Sequence, residues 1–273
     1  MKQVSLALLL CSCSGYAASG KILATPGVAQ VEGSGGGGLV PWAQLAGYAS
    51  EDEWSVSGFC SRADVRDYRL DVCGVQTNIL DRLELSVAEQ QFAVPALNTD
   101  IEQLVFGAKL RLFGDIVYSP YPQVSVGWQH KQLHDGSVAK LLGAERTAGN
   151  DIYIAASKLH LGAIGGYNWF WNATLRHSEA NQLGLLGYGG AKSQSNWLKE
   201  ASTAVFITPH WAVGMEFREK PDNLGLAESH WRDVFVAWFP NKAFSITAAY
   251  LDLGSIAGAD KQTGWYISLM GSF

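Results

Sequence analysis

The chain has 273 residues, of which 16% are charged, 11% are aromatic and 30 are glycine, with 20 Lys and Arg against 25 Asp and Glu. A net charge of −5 argues against a nucleic-acid partner, and no apolar run is long enough for a membrane-crossing helix. Sparse charge with abundant aromatic residues and glycine suits a closed membrane barrel better than a water-soluble exported β-protein, the competing architecture.

Residues 1–20, MKQVSLALLLCSCSGYAASG, set Lys2 before an apolar run from Val4 to Leu10 and then small residues. That order predicts a secretory signal cleaved after Ser19 or Gly20. Cys11 and Cys13 would leave with it; a lipoprotein cysteine is disfavoured by the large Leu9 and Leu10. The remaining chain keeps all 25 acids and loses Lys2, for a net charge of 19 − 25 = −6. Residues 21–38 read as a flexible Gly-rich segment and a candidate plug for a barrel built from the downstream chain, because Gly33 to Gly38 cannot favour a strand interior. The Gly-Lys-Ser/Thr ending of a phosphate-cradling loop is absent.

From Leu39 to Phe273 the sequence repeats segments of alternating polarity: 39–49, 53–62, 67–77, 82–92, 102–113, 122–132, 150–160, 165–177, 197–207, 210–219, 231–239, 243–252 and 263–273. In LVFGAKLRLF, Lys109 and Arg111 share one face opposite Leu104, Phe106, Leu110 and Leu112. In WAVGMEFREK, Glu216, Arg218 and Lys220 oppose Trp211, Val213, Met215 and Phe217. Repeated weak dyads of this kind predict an all-β, antiparallel transmembrane β-barrel. The thirteen segments must reduce or extend to an even number, so 12–14 strands are expected, with either the first segment or a stretch near 28–32 miscounted.

Connections counted back from the C-terminus alternate long (253–262, 220–230, 178–196, 133–149) and short (FPNKA, TPH, 161–164), the rhythm of long external loops and short periplasmic turns. The last strand, GWYISLMGSF, needs no tail if it closes the barrel at the periplasmic side and presents Phe273 to the barrel-assembly machinery. Tryptophans clustered near strand ends fit interfacial girdles in outer-membrane lipid. Cys60 and Cys73 flank a predicted turn centred near Arg66 and Asp67. They would face each other across a hairpin, as a disulfide in an oxidising compartment or as packed thiols.

Charges facing lipid at mid-membrane cost a few kcal/mol each, roughly 2–4 for Arg or Lys, so Lys109, Arg111, Glu216 and Arg218 are expected to face the lumen. Arg82, Glu84 and Arg176 are expected to join them. Either these groups pair and fill the interior, or they tune a pore for small polar or anionic solutes. No catalytic, cofactor or metal site is expected. His177, Ser178 and Glu179 could be drawn as a lipid-hydrolase site, but consecutive strand residues point to opposite faces. His130 and His134 have a spacing that suits a metal on a helix, whereas this region reads as strand running into loop.

At RTAGNDIYIAASKLHL, ANQLGLLGYGG, KPDNLG and WFPNKAFSITAAYLDLGSIAG the chain resembles a Gram-negative family catalogued as domain of unknown function 3034. The resemblance runs from EGSGGGGLVPWAQLAGYAS to Phe273, and the phrases at 180–190 and 220–225 are its most specific parts. It implies an exported outer-membrane β-barrel without a known function; the pair Cys60 and Cys73 is not part of it. The leading expectation is a pore for small polar solutes. A non-conducting structural or surface-binding barrel acting through loops 133–149, 178–196 and 220–230 is the alternative, and an outer-membrane lipid hydrolase is the third.

Overall fold

The alternation has a simple physical origin: a strand with lipid on one side and a polar interior on the other must change polarity at every residue. The computed structural model describes residues 20–192 and 196–273; the expected signal, with Cys11 and Cys13, lies outside the described residues apart from Gly20. Two short strands, β1 (Val28–Ala29) and β2 (Gly35–Gly36), pair with each other. The barrel strands are β3 (Trp54–Val65), β4 (Arg69–Ile79), β5 (Leu83–Val94), β6 (Thr99–Phe113), β7 (Gln123–Leu133), β8 (Ala148–Ile164), β9 (Tyr167–Ser178), β10 (Asn196–Thr208), β11 (Trp211–Arg218), β12 (Trp231–Asn241), β13 (Phe244–Asp252) and β14 (Thr263–Ser272).

Among the described residues these twelve strands pair in antiparallel sequence order, and β14 pairs with β3 to close the barrel. Phe273 completes the seam: its N–H donates to the Val56 carbonyl at 2.8 Å, and Val56 N–H donates back at 3.0 Å. Cys60 and Cys73 lie directly opposite on β3 and β4 and are disulfide-bonded. Apolar side chains such as Leu85, Phe106, Leu110, Ile154, Met215 and Ile267 point outward, while the alternate positions are buried in the lumen.

The expected strand 39–49 is not a barrel strand. Residues 26–49 are instead buried without interruption inside the barrel, so the inserted segment extends well beyond residue 38 and the wall begins at Trp54. Both sides of this stretch are enclosed, which removes the constraint that makes a wall strand alternate. Pro41 and the left-handed Gly47 (φ 67°) also interrupt an extended run.

The long-short rhythm holds from β7 to the C-terminus and fails before it. The connections 66–68 and 95–98 are short at the end that carries the long loops, and 114–122 is long at the opposite end. Most tryptophans face outward, with Trp211 and Trp238 stacked 5.7 Å apart near the turn end. Trp42 and Trp231 depart from the girdle expectation and are buried inside.

Phe106, at the middle of β6 and exposed on the outer face, supplies a test of the membrane orientation. Phe106→Arg should lower stability in lipid vesicles by about 2–4 kcal/mol, measured by urea unfolding, as expected for a cation at the bilayer midplane.

Candidate functional site: the occupied lumen

The wall strands bring inward-facing charges to the inserted segment at three levels. At the first, Glu84 on β5 and Lys109 on β6 form an ion pair of 3.1 Å, both almost fully buried. Glu84 accepts hydrogen bonds from the N–H groups of Gly35 (2.9 Å) and Ala46 (2.7 Å). The Lys109 ammonium donates to the carbonyls of Gly35 and Gln44, each at 2.8 Å. Here the glycine run has a steric reason. A Cβ on Gly36 would lie 2.6 Å from the Val40 carbonyl oxygen, and one on Gly35 would lie 2.9 Å from a Glu84 carboxylate oxygen.

The second level is a six-member ionic cluster around Glu32 of the inserted segment. One carboxylate oxygen of Glu32 pairs with Lys131 of β7; the other lies 2.6 Å from Arg218 of β11 and 3.3 Å from Arg176 of β9. Wall acids hold the far sides of these cations: Asp151 is 2.6 Å from Lys131, and Glu200 is 2.6 Å from Arg176 and 3.4 Å from Arg218. Three cations and three carboxylates cancel, and none of the six side chains is more than 5% exposed. Neutrality is what allows such burial, because an unpaired charge here would carry its full desolvation cost.

At the third level, Glu216 of β11 accepts hydrogen bonds from Leu39 N–H (2.7 Å) and the Ser202 hydroxyl (2.6 Å), while Trp42 donates to Ser202 at 2.8 Å. Asp233 of β12 lies opposite Glu216 and accepts its N–H at 3.1 Å.

Thus Glu84, Lys109, Arg176, Glu216 and Arg218 all face the lumen, and all but Arg176, which pairs with Glu32, hydrogen-bond the backbone of the inserted segment. Arg111 sits lower, at the turn-end mouth. It pairs with Asp81, donates to the Gly114 carbonyl at 2.7 Å, and shares Asp81 with Lys21, which is 2.6 Å away. Arg82 is not a lumen residue. It lies in the turn between β4 and β5, outside strand alternation, is exposed, and donates to the carbonyls of Arg111 and Leu112. Sequence reading missed Glu32, Lys131, Asp151, Glu200 and Asp233. The last four share the inward parity of their strands and were legible in principle; Glu32 lies in the glycine-rich stretch, where alternation has no meaning.

The two ends of the lumen differ. At the turn end, cavities of about 210 and 160 Å³ flank residues 22–25, the first lined by Lys21, Asp81, Arg111 and Gln123, the second by Trp42, Asn168 and Phe170. At the other end, connections 179–192, 219–230 and 253–262 fold inward and bury Leu183, Leu185, Leu186, Tyr188 and Ile256. Gln182 and Leu183 adopt left-handed backbone (φ 46° and 64°), and Asn223 ties this layer together through the Glu179 carbonyl (3.0 Å) and Asn181 (3.1 Å). Lys220 joins it to the third connection, donating to Glu228 at 2.8 Å and to the Ser255 carbonyl at 2.9 Å.

The constellation of His177, Ser178 and Glu179 is not assembled. Ser178 points inward and donates to Asp151 at 2.5 Å, whereas His177 packs against Trp197 with ring centres 5.0 Å apart. His130 bonds Asn150 at 3.0 Å, and His134 lies beside Glu102 at 3.3 Å, in an exposed group with Glu89.

A family match spans residues 25–270, covering the inserted segment and the barrel as far as Met270 in β14, and its description is "Protein of unknown function (DUF3034)". The chain belongs to this family. No curated protein matches it. Among solved structures, the KdgM porin is similar with a TM-score of 0.51 at 8% identity, over 80% of this chain and 99% of that one. The Acinetobacter baumannii outer membrane protein Omp33 is similar with a TM-score of 0.47 at 10% identity, over 82% and 98%. The NanC porin gives 0.47 at 9% identity, over 81% and 99%. At these identities, what the KdgM comparison establishes for the family member is its barrel fold.

Removing one member of the Glu32 cluster leaves an uncompensated buried charge. Arg176→Met should therefore destabilise the protein by about 3–5 kcal/mol in urea unfolding. The loop layer has a pH signature. Burial pushes the Lys220 ammonium down to about 8, against the opposing pull of Glu228. An unfolded Lys titrates near about 10.4, so between these values the unfolded chain holds more proton and stability rises with pH. The urea midpoint should gain from about pH 8 towards about pH 10.4 in the native protein, by an amount absent in Lys220→Met.

Proposed function

We propose that this protein is an outer-membrane channel for small polar solutes that rests closed, with residues 26–49 as its plug. The observation that carries this reading is the Glu32 cluster together with the wall bonds to Gly35, Leu39 and Ala46. A permanent filling would be as stable or more stable if built from apolar packing, since buried ion pairs often fail to offset their desolvation. A wall of Lys, Arg, Glu, Gln and Ser costs least where it also meets water, as in an open lumen. The cavities beside residues 22–25 give solute a vestibule on the turn side, and the loop layer gives the other side a cover.

In this reading the chain is exported by a signal cleaved near Ser19 or Gly20, the long loops face outward from the cell, and Phe273 presents the closing strand to the barrel-assembly machinery. The charges act by selectivity rather than by covalent catalysis.

Single-channel recording in planar bilayers tests the assignment, comparing residues 21–273 with a form lacking residues 21–49. The full mature chain should be silent or open rarely, and the shortened chain should show discrete steps. A shortened chain that inserts, shows barrel mobility on unboiled gels and carries no current would overturn the channel reading.

A further inference from the structure

We propose that Lys131, Arg176 and Arg218 form a binding site for the carboxylate of a small anionic solute, and that Glu32 occupies this site as a built-in substitute. The inference rests on the channel reading and assigns its solute class.

The three cations come from separate wall strands, whereas the carboxylate they converge on belongs to the inserted segment. The wall therefore presents a preformed cradle: an ammonium on one carboxylate oxygen and two guanidinium groups on the other. Guanidinium groups favour planar carboxylates, through charge-assisted bonds that a neutral solute cannot replace.

The wall does not satisfy the cradle by itself. Asp151 and Glu200 offset two of its three positive charges, leaving 3 − 2 = +1, which Glu32 cancels. Glu216 and Asp233 are further acids on β11 and β12, but among the described residues they make no ion pair with these cations; Glu216 is committed to Leu39 and Ser202, and Asp233 bonds the Glu216 N–H. Withdrawal of the plug would also remove Gln30, which donates to Glu32 at 2.6 Å, so the vacated position would hold three donors and one uncompensated charge. A solute bearing a single carboxylate restores both the charge and the hydrogen bonds, and competes with Glu32 for the same place.

Chemical rescue tests whether the three cations accept a free carboxylate in place of Glu32. Glu32→Ala in the full mature chain is refolded from urea into detergent with sodium acetate, sodium chloride or acetamide at equal concentration, and its melting temperature is read from the heat-dependent gel shift. Acetate should restore at least half of the loss relative to the native protein, chloride and acetamide should restore little, and the acetate advantage should vanish in Glu32→Ala/Arg218→Gln. Equal effects of acetate, chloride and acetamide would overturn the site. If Glu32→Ala does not fold in chloride, refolding yield in acetate against acetamide gives the same decision. A barrel that never conducts would remove the transport role while leaving rescue to stand, and conduction without acetate-specific rescue would remove the site while leaving the channel.

Discussion

Charge neutrality around Glu32 is the constraint on which the rest of the interior depends. Three wall cations are buried to 5% exposure or less, and their own wall carboxylates compensate only two of them. The third negative charge must come from elsewhere, and the inserted segment supplies it. This fixes the depth of residues 26–49 in the barrel, and the neighbouring levels then add backbone bonds at Gly35, Leu39 and Ala46. Glycine is needed there because the segment turns tightly while its N–H groups approach carboxylates on two opposite parts of the wall. A side chain at Gly35 would run into the Glu84 carboxylate and one at Gly37 into that of Glu216, while one at Gly36 would strike the Val40 carbonyl inside the turn.

The ends of the barrel express different physics. The loop end is closed by an apolar layer built from Leu183, Leu185, Leu186 and Ile256, pinned by Asn223 and Lys220. The turn end is open to polar cavities and held by the Lys21, Asp81 and Arg111 group. Apolar packing with buried polar ties is costly to open, whereas a partly exposed ion-pair group is weak and sensitive to salt. The loop end is thus held by apolar packing and the turn-side exit by a salt-sensitive ion-pair group.

Strand identity was legible because lipid and lumen impose opposite demands on successive residues. Twelve of the thirteen expected segments are barrel strands, and the inward parity of Glu84, Lys109, Arg176, Glu216 and Arg218 follows directly from it. The same rule misled where one of its two solvents was missing. Residues 39–49 carry enough apolar alternation to resemble a strand, yet they meet protein on every side. Arg82 lies in a turn, where side-chain direction is not set by strand alternation.

The sequence by itself determined the barrel, its strand boundaries within a few residues, its closing strand and the half of each strand that faces inward. These depend on local periodicity, and periodicity is written in neighbouring residues. The tertiary structure alone decided what fills the lumen and which charges meet. Glu32 lies 99 residues from Lys131 and 186 from Arg218 along the chain, and only closure of the barrel and insertion of the segment bring them within ion-pair distance. No local pattern encodes such a meeting, because its energy comes from desolvating all the partners together.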